Sequence, residues 1–212
     1  MPDTVETVLA DIRACRLCEH SLPLGPRPVL QASASSRLLI VSQAPGRRVH
    51  LSGVPFDDPS GARLRDWLGI DELTFHDPAR VAIVPMAFCY PGKGASGDLP
   101  PPRICARTWH PRLLPLLPNV RLTLLVGWYA QAHILGARAG PNLTTTCEAW
   151  RQHLGRGVLP LPHPSPRNQG WFKHHPWFAE EVVPLLRRRV QALLRPTPAR
   201  PPRPAPPPAG RR

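Results

Sequence analysis

At 212 residues the chain is long enough for one domain with a sizeable core, and a hydrophobic share of 42% excludes a largely disordered protein. Net charge is +13 with a sequence pI near 11.2, a balance that favours polyanionic partners because Lys and Arg neutralise phosphates and release counterions. No apolar run approaches the roughly 20 residues needed to span a bilayer, so no membrane-spanning helix is expected.

Other sources of that charge compete with a binding face. Only Lys93 and Lys173 are lysines, so the remainder is an arginine-rich composition, and Arg195, Arg200, Arg203, Arg211 and Arg212 sit at the chain's end. From Pro196 to Arg212 the sequence is almost entirely Pro, Ala and Arg. Such a segment buries too little apolar area to offset chain entropy, so residues 195–212 are expected to be a disordered tail on a domain of residues 1–194. Met1 to Asp11 carries acids and no basic leader, which predicts no signal peptide and a cytoplasmic, reducing setting.

In chain order, Val5 to Cys15 reads as a short helix leading into a Cys-containing turn. Arg37 to Ser42 is a compact apolar run, a strand ending in the loop Gln43-Ala44-Pro45-Gly46. Ser60 to Leu68 has helical spacing, with Leu64, Trp67 and Leu68 on one face after an Asp58-Pro59-Ser60 start. Val81 to Val84 is a second buried strand running toward Cys89, followed by a Gly/Pro-rich loop from Pro91 to Pro102. Leu122 to Val126 is a third strand with a helix, Trp128 to Leu135, behind it. Thr144 to Leu154 is a further helix, and Val158 to Leu161 a fourth strand ending in His163-Pro164-Ser165-Pro166. Trp177 to Leu194 closes the chain as a helix, interrupted or bent near Pro184.

Strands that alternate with helices predict a three-layer α/β/α fold around a central four-stranded, mostly parallel sheet. Functional loops in such sheets gather at the carboxyl ends of the strands. The segments Gln43 to Asp58, Pro85 to Cys89 and His163 to Asn168 all meet that condition.

Of the five cysteines, Cys15 and Cys18 form a C-x2-C pair, while Cys89 and Cys105 bracket the Pro/Gly loop. Four cysteines in a reducing compartment point to a metal centre, either zinc or iron–sulfur. Cys147 lies inside a predicted helix and reads as a buried thiol.

From about Cys15 to about Phe178 the chain resembles the iron–sulfur uracil-DNA glycosylases of family 4. The resemblance rests on the cysteine spacing, on Ser42-Gln43-Ala44-Pro45-Gly46 followed by Gly53-Val54-Pro55-Phe56, and on His163-Pro164-Ser165-Pro166, in that order. It implies a 4Fe-4S cluster on Cys15, Cys18, Cys89 and Cys105, and a partner that is DNA carrying a deaminated or damaged base, bound by a monomer. The chain also departs from the family's pattern. Gln43 stands where the first motif has Glu, Val49 and His50 where an acidic pair follows it, and Pro85 or Met86 where the second strand carries the Asn that reads uracil.

The resemblance assigns Phe56 to stacking on an extruded base and His163 to stabilising the anion that leaves. An aromatic beneath a turn is the plainer role for Phe56, and a local backbone partner the plainer one for His163. Ala44, Pro85 and Met86 fall at the base pocket. Ser165 and Arg167, with Arg47 and Arg48, fall where flanking phosphates would lie. Gln43 can orient a water but is no base. Asp57 is the nearest acid, with Asp58 and His50 behind it, although Asp57-Asp58-Pro59-Ser60 also reads as a helix entry. Trp171, Phe172, Trp177 and Phe178, interleaved with Lys173, His174 and His175, read as core rather than a DNA face, and His110 as structural.

The leading expectation is therefore a base-excision glycosylase hydrolysing the N-glycosidic bond of uracil or another deaminated base. A non-catalytic, damage-sensing DNA binder of the same fold is the second. A zinc protein of unrelated function is the third.

Overall fold

The protein is described here from a computed structural model over residues 2–95 and 97–195. Its elements run α1 (Val5–Arg13), β1 (Leu38–Val41), α2 (Arg47–Ser52), α3 (Pro59–Leu68), α4 (Glu72–Phe75) and β2 (Val81–Ile83). A small ribbon follows, β3 (Lys93–Gly94) and β4 (Gly97–Asp98), then α5 (Arg103–Leu113), β5 (Leu122–Val126), α6 (Trp128–Leu135), α7 (Leu143–Glu148) and α8 (Trp150–Leu154). The chain closes with β6 (Val158–Leu161), α9 (Gln169–His174) and α10 (Val183–Leu194).

The four central strands are apolar except at Thr123 because both faces of the sheet are covered. They pair in the order β2-β1-β5-β6, every pair parallel, with Leu38 opposite both Val81 and Leu122. Alternate residues of β1 serve different cores. Leu38 and Ile40 pack with Leu64 and Leu68 of α3, Phe75, and Leu186 and Val190 of α10. Leu39 and Val41 pack with Val8 and Ile12 of α1 and with Trp109 and Leu113 of α5. Each such side chain, fully buried, contributes about 1.5–3 kcal/mol relative to exposure. The result is the expected three-layer architecture, with the sheet parallel in all four strands.

Local chemistry sets the helix ends. Thr4 and Thr7 form a reciprocal cap at the start of α1. Asp58 caps α3, with Pro59 inside the first turn and Gly69 in the left-handed conformation at its end. One expectation is corrected, one is refined, and one further helix appears that the sequence did not suggest. Thr144 to Leu154 is two helices, α7 and α8, meeting at Ala149. The closing helix opens with a π-helical turn, Phe178–Val182, ahead of Pro184, which has no N–H to give to a tighter ladder. Arg103–Leu113 forms a helix despite Pro111, placing Cys105 in its first turn and His110 in its last. Of the predicted tail, residues 196–212 lie outside the described residues. Among the described residues no helix is long and apolar enough to cross a membrane.

Candidate active site and cysteine pocket

A cleft of about 420 Å³ opens at the carboxyl ends of the parallel strands. The loop after β1 forms one wall. Beyond the sheet ladder the Met86 N–H donates to the Ser42 carbonyl at 2.8 Å and the Ala87 N–H to the Gln43 carbonyl at 3.1 Å. These bonds tie the two strand-end loops together, so that Gln43, Ala44 and Pro85 all face the cleft.

Phe56 lines the same cleft in an unusual backbone state. Its φ is 57°, the only positive value at a non-glycine among the described residues, a conformation costing on the order of 1–2 kcal/mol. Gly61 in α3 permits it: a Cβ there would lie 1.8 Å from the Phe56 carbonyl oxygen. The ring is buried against Phe75, edge-on at 5.9 Å. Phe56 is thus a core aromatic on one side and a cleft wall on the other, and its strain is held by the surrounding fold.

His163 enters from the loop after β6, beside Gly127, whose φ of 85° admits glycine readily and whose Cβ position is 3.6 Å from the His163 Cβ. The Ser165 N–H donates to His163 Nδ1 at 3.2 Å, and the Asn168 amide donates to the His163 carbonyl at 2.8 Å. With Nδ1 accepting, the neutral ring carries its proton on Nε2. Burial pushes the imidazole below the usual histidine range, against a smaller upward pull from Asp58. At neutral pH the side chain is therefore an uncharged Nε2–H donor at the cleft.

Other expected residues divide. Ser165 and Arg167 line the cleft, and the Ser165 hydroxyl accepts from the Arg167 N–H at 3.3 Å. Arg47 and Arg48 are exposed on α2, outside the lining, though the helix starts at Gly46, which is part of it. Asp57 does not line the cleft. It lies 3.6 Å from Arg48, and Asp58 faces the cleft instead, with Oδ1 accepting from the Gly61 N–H at 2.8 Å. Met86 is also corrected: it is buried on the far side of the sheet, in the core of α1 and α5. His50 is buried away from the lining, near Tyr90. His110 is buried, and its Nε2 donates to the Pro85 carbonyl at 3.0 Å, bracing the strand end behind the cleft. The aromatics of 171–178 pack against the core, as expected.

Asn168, Asp98, Ser42 and Ser60 add polar side chains to the lining and were not singled out as site residues from the sequence. Asn168 had a usable signal, a polar side chain five positions after His163 in the same loop. Asp98 had none, since it belongs to the Pro/Gly stretch far from either motif.

The family profile of the uracil DNA glycosylase superfamily matches residues 30–187, about three quarters of the chain. The chain belongs to that superfamily. Membership gives the protein the general character of a DNA glycosylase, a DNA-binding hydrolase of repair. The matched span contains every residue that lines the cleft except Val29, which lies one position before it.

A second, smaller pocket is apolar and is lined by Cys15, Cys18, Cys89 and Cys105. The first two follow α1, Cys89 follows β2, and Cys105 is in α5. All four are free and half-buried, whereas Cys147 is buried elsewhere, with the Gln131 amide 3.4 Å from its sulfur. Burial, with the other three thiols adding to it, pushes Cys105 up to about 12. Among the described residues, no three His, Cys, Asp or Glu side chains are gathered so as to hold one metal ion.

Proposed function

We propose that the protein is a glycosylase that extrudes a deaminated base from DNA, uracil first, and hydrolyses its N-glycosidic bond. The observation that carries this reading is the Nε2–H donor of His163, fixed by the Ser165 N–H, in the same cleft as the Phe56 ring. Extrusion brings the base against Phe56, where stacking contributes roughly 1–3 kcal/mol. As the bond from C1′ to the base breaks, its electron pair passes to the base and builds negative charge on O2. A neutral imidazole donor meets that charge without having to lose a proton of its own. Arg167 and Ser165 would hold the flanking phosphates, and the Gln43 amide can orient the incoming water.

The cysteine pocket suits a 4Fe-4S cluster held by Cys15, Cys18, Cys89 and Cys105. Four thiols from separated segments meet one apolar pocket. Such a cluster would supply a covalent staple between α1, the end of β2 and α5.

One observation favours a second reading, a damage-sensing binder without turnover: Pro85 and Gln43 occupy wall positions where an amide reader and an acid would be useful. A cleavage panel separates the two. Labelled oligonucleotides carrying uracil, hypoxanthine, xanthine or a thymine mismatch are incubated with pure protein and scored for abasic sites. Release of uracil is expected. Tight binding of uracil-containing DNA with no base released from any substrate would establish the binder instead.

A further inference from the structure

The cleft holds a carboxylate that belongs to neither motif. Asp98 ends the β3–β4 ribbon, within the loop that Cys89 and Cys105 bracket, and it reaches across to the loop after β1. Its Oδ2 lies 3.5 Å from where a Cβ on Gly46 would stand, so it sits against the Gly46 end of Gln43-Ala44-Pro45-Gly46. That loop is the one lacking an acid of its own. The two aspartates at the cleft are not equivalent. One oxygen of Asp58 is committed to the Gly61 N–H and to closing the first turn of α3. Among the described residues, no hydrogen bond or ion pair within 4.0 Å engages the Asp98 carboxylate, whose backbone alone is held in the ribbon opposite Lys93, and it is free to take a proton. Arg167 is brought alongside by packing its guanidinium on Gly97, 2.9 Å from the Cβ position there.

Building on the glycosylase reading above, we propose that Asp98 is the general base of the reaction, returning to the cleft from the ribbon the carboxylate that the loop after β1 lacks. The attacking water forms its new bond to C1′ as the bond to the base breaks. The electron pair leaves with the base, whose O2 is held by His163 Nε2–H. The water's proton passes to the Asp98 carboxylate and from there to solvent, and the released base takes a proton from solvent in turn. The setting suits the task. Burial pushes the Asp98 carboxyl above the usual range and Asp58 adds to this, while Arg167 and Lys93 pull the other way; Tyr90 also faces it. A base titrating above an ordinary carboxylate accepts a proton more readily, provided the pH keeps it ionised.

The test is single-turnover cleavage of a uracil oligonucleotide by wild type, Asp98→Asn and Asp98→Ala between pH 4.5 and 8. Wild type should lose rate as pH falls through the Asp98 pKa. Asp98→Asn should be slower by about 10²-fold with that acid limb gone, the scale of general base catalysis. Formate should restore part of the rate to Asp98→Ala, and DNA affinity should be unchanged or slightly tighter in both. An active wild type with Asp98→Asn within about twofold of it overturns the proposal. So does a slower Asp98→Asn that keeps the acid limb, with no formate rescue of Asp98→Ala, because Asp98 would then only shape the ribbon. A wild type that releases no base overturns the glycosylase reading itself, a distinct result.

Discussion

The cleft and the cysteine pocket are built on opposite principles and from the same stretch of chain. The cleft is open and polar, with its working atoms presented by strand-end loops over a rigid sheet. The cysteine pocket is small and apolar, and its sulfurs come from a helix end, a loop and a helix start. Between residues 85 and 105 the chain visits them alternately: Pro85 in the cleft, Cys89 in the pocket, Asp98 in the cleft, Cys105 in the pocket. His110, on the same helix as Cys105, then braces Pro85 from behind. A wall shared in this way means that whatever fixes the pocket also helps to place the cleft.

The most severe break of that comparison is Cys89→Ala. Protein purified without oxygen should be brown and contain iron and sulfide, and the variant should lose both. Losing a staple at the end of β2 should cost roughly 3–5 kcal/mol, about a 10 °C fall in the melting temperature followed by circular dichroism. Cleavage should fall with it, because the segment carrying Asp98 is released. Colourless wild-type protein with stoichiometric zinc would remove the cluster from the account. A variant with unchanged melting would remove the staple.

His163→Ala makes the complementary break. Rate should drop on the order of 10²–10³-fold, the usual loss for a deleted anion-stabilising donor, with melting within a few degrees of wild type. Gln43→Ala should cost less, since in the proposed mechanism its amide only positions water. DNA affinity should survive both, because phosphate contacts dominate it. If His163→Ala keeps full rate while wild type is active, the leaving base is stabilised by something else in the cleft.

Much of the fold was legible because each central strand is a short apolar run ending in a loop of distinct composition. The helix at Arg103–Leu113 was not, since Pro102 precedes it, Pro111 falls inside it, and its buried face, Ala106, Trp109, His110 and Leu113, is part polar. Helix α2 is only six residues long and mostly polar, and so carries little periodicity. At the site, Phe56 and His163 could be read because motifs carry them. Choosing between Asp57 and Asp58 could not be done from adjacency. The left-handed turn at Phe56 and the extended backbone of the α3 cap decide which carboxylate turns inward. Asp98 was invisible because it reaches the cleft only through the ribbon, more than forty positions after Gly46 in sequence.

The smallest expected effect concerns the rim. Arg47 and Arg48 open α2 just after the cleft-lining Gly46, and both are exposed. Each should neutralise about one phosphate, so replacing either by Ala should lower the slope of log affinity against log salt by roughly 0.9. The two are not equal partners. Arg48 lies 3.6 Å from Asp57, and an exposed pair of this kind is worth only about 0–1 kcal/mol, enough to divide the arginine between acid and phosphate without holding it. Arg47→Ala should therefore weaken binding more than Arg48→Ala, and Asp57→Ala should tighten it slightly by freeing Arg48. Because phosphates carry no sequence information directly, all three changes should act alike on undamaged and uracil-containing duplexes. Titrations of both DNAs at several salt concentrations measure this. Equal affinity across wild type and the two arginine variants would show that the basic charge of α2 reflects an arginine-rich composition and that DNA approaches the cleft from the side of Arg167.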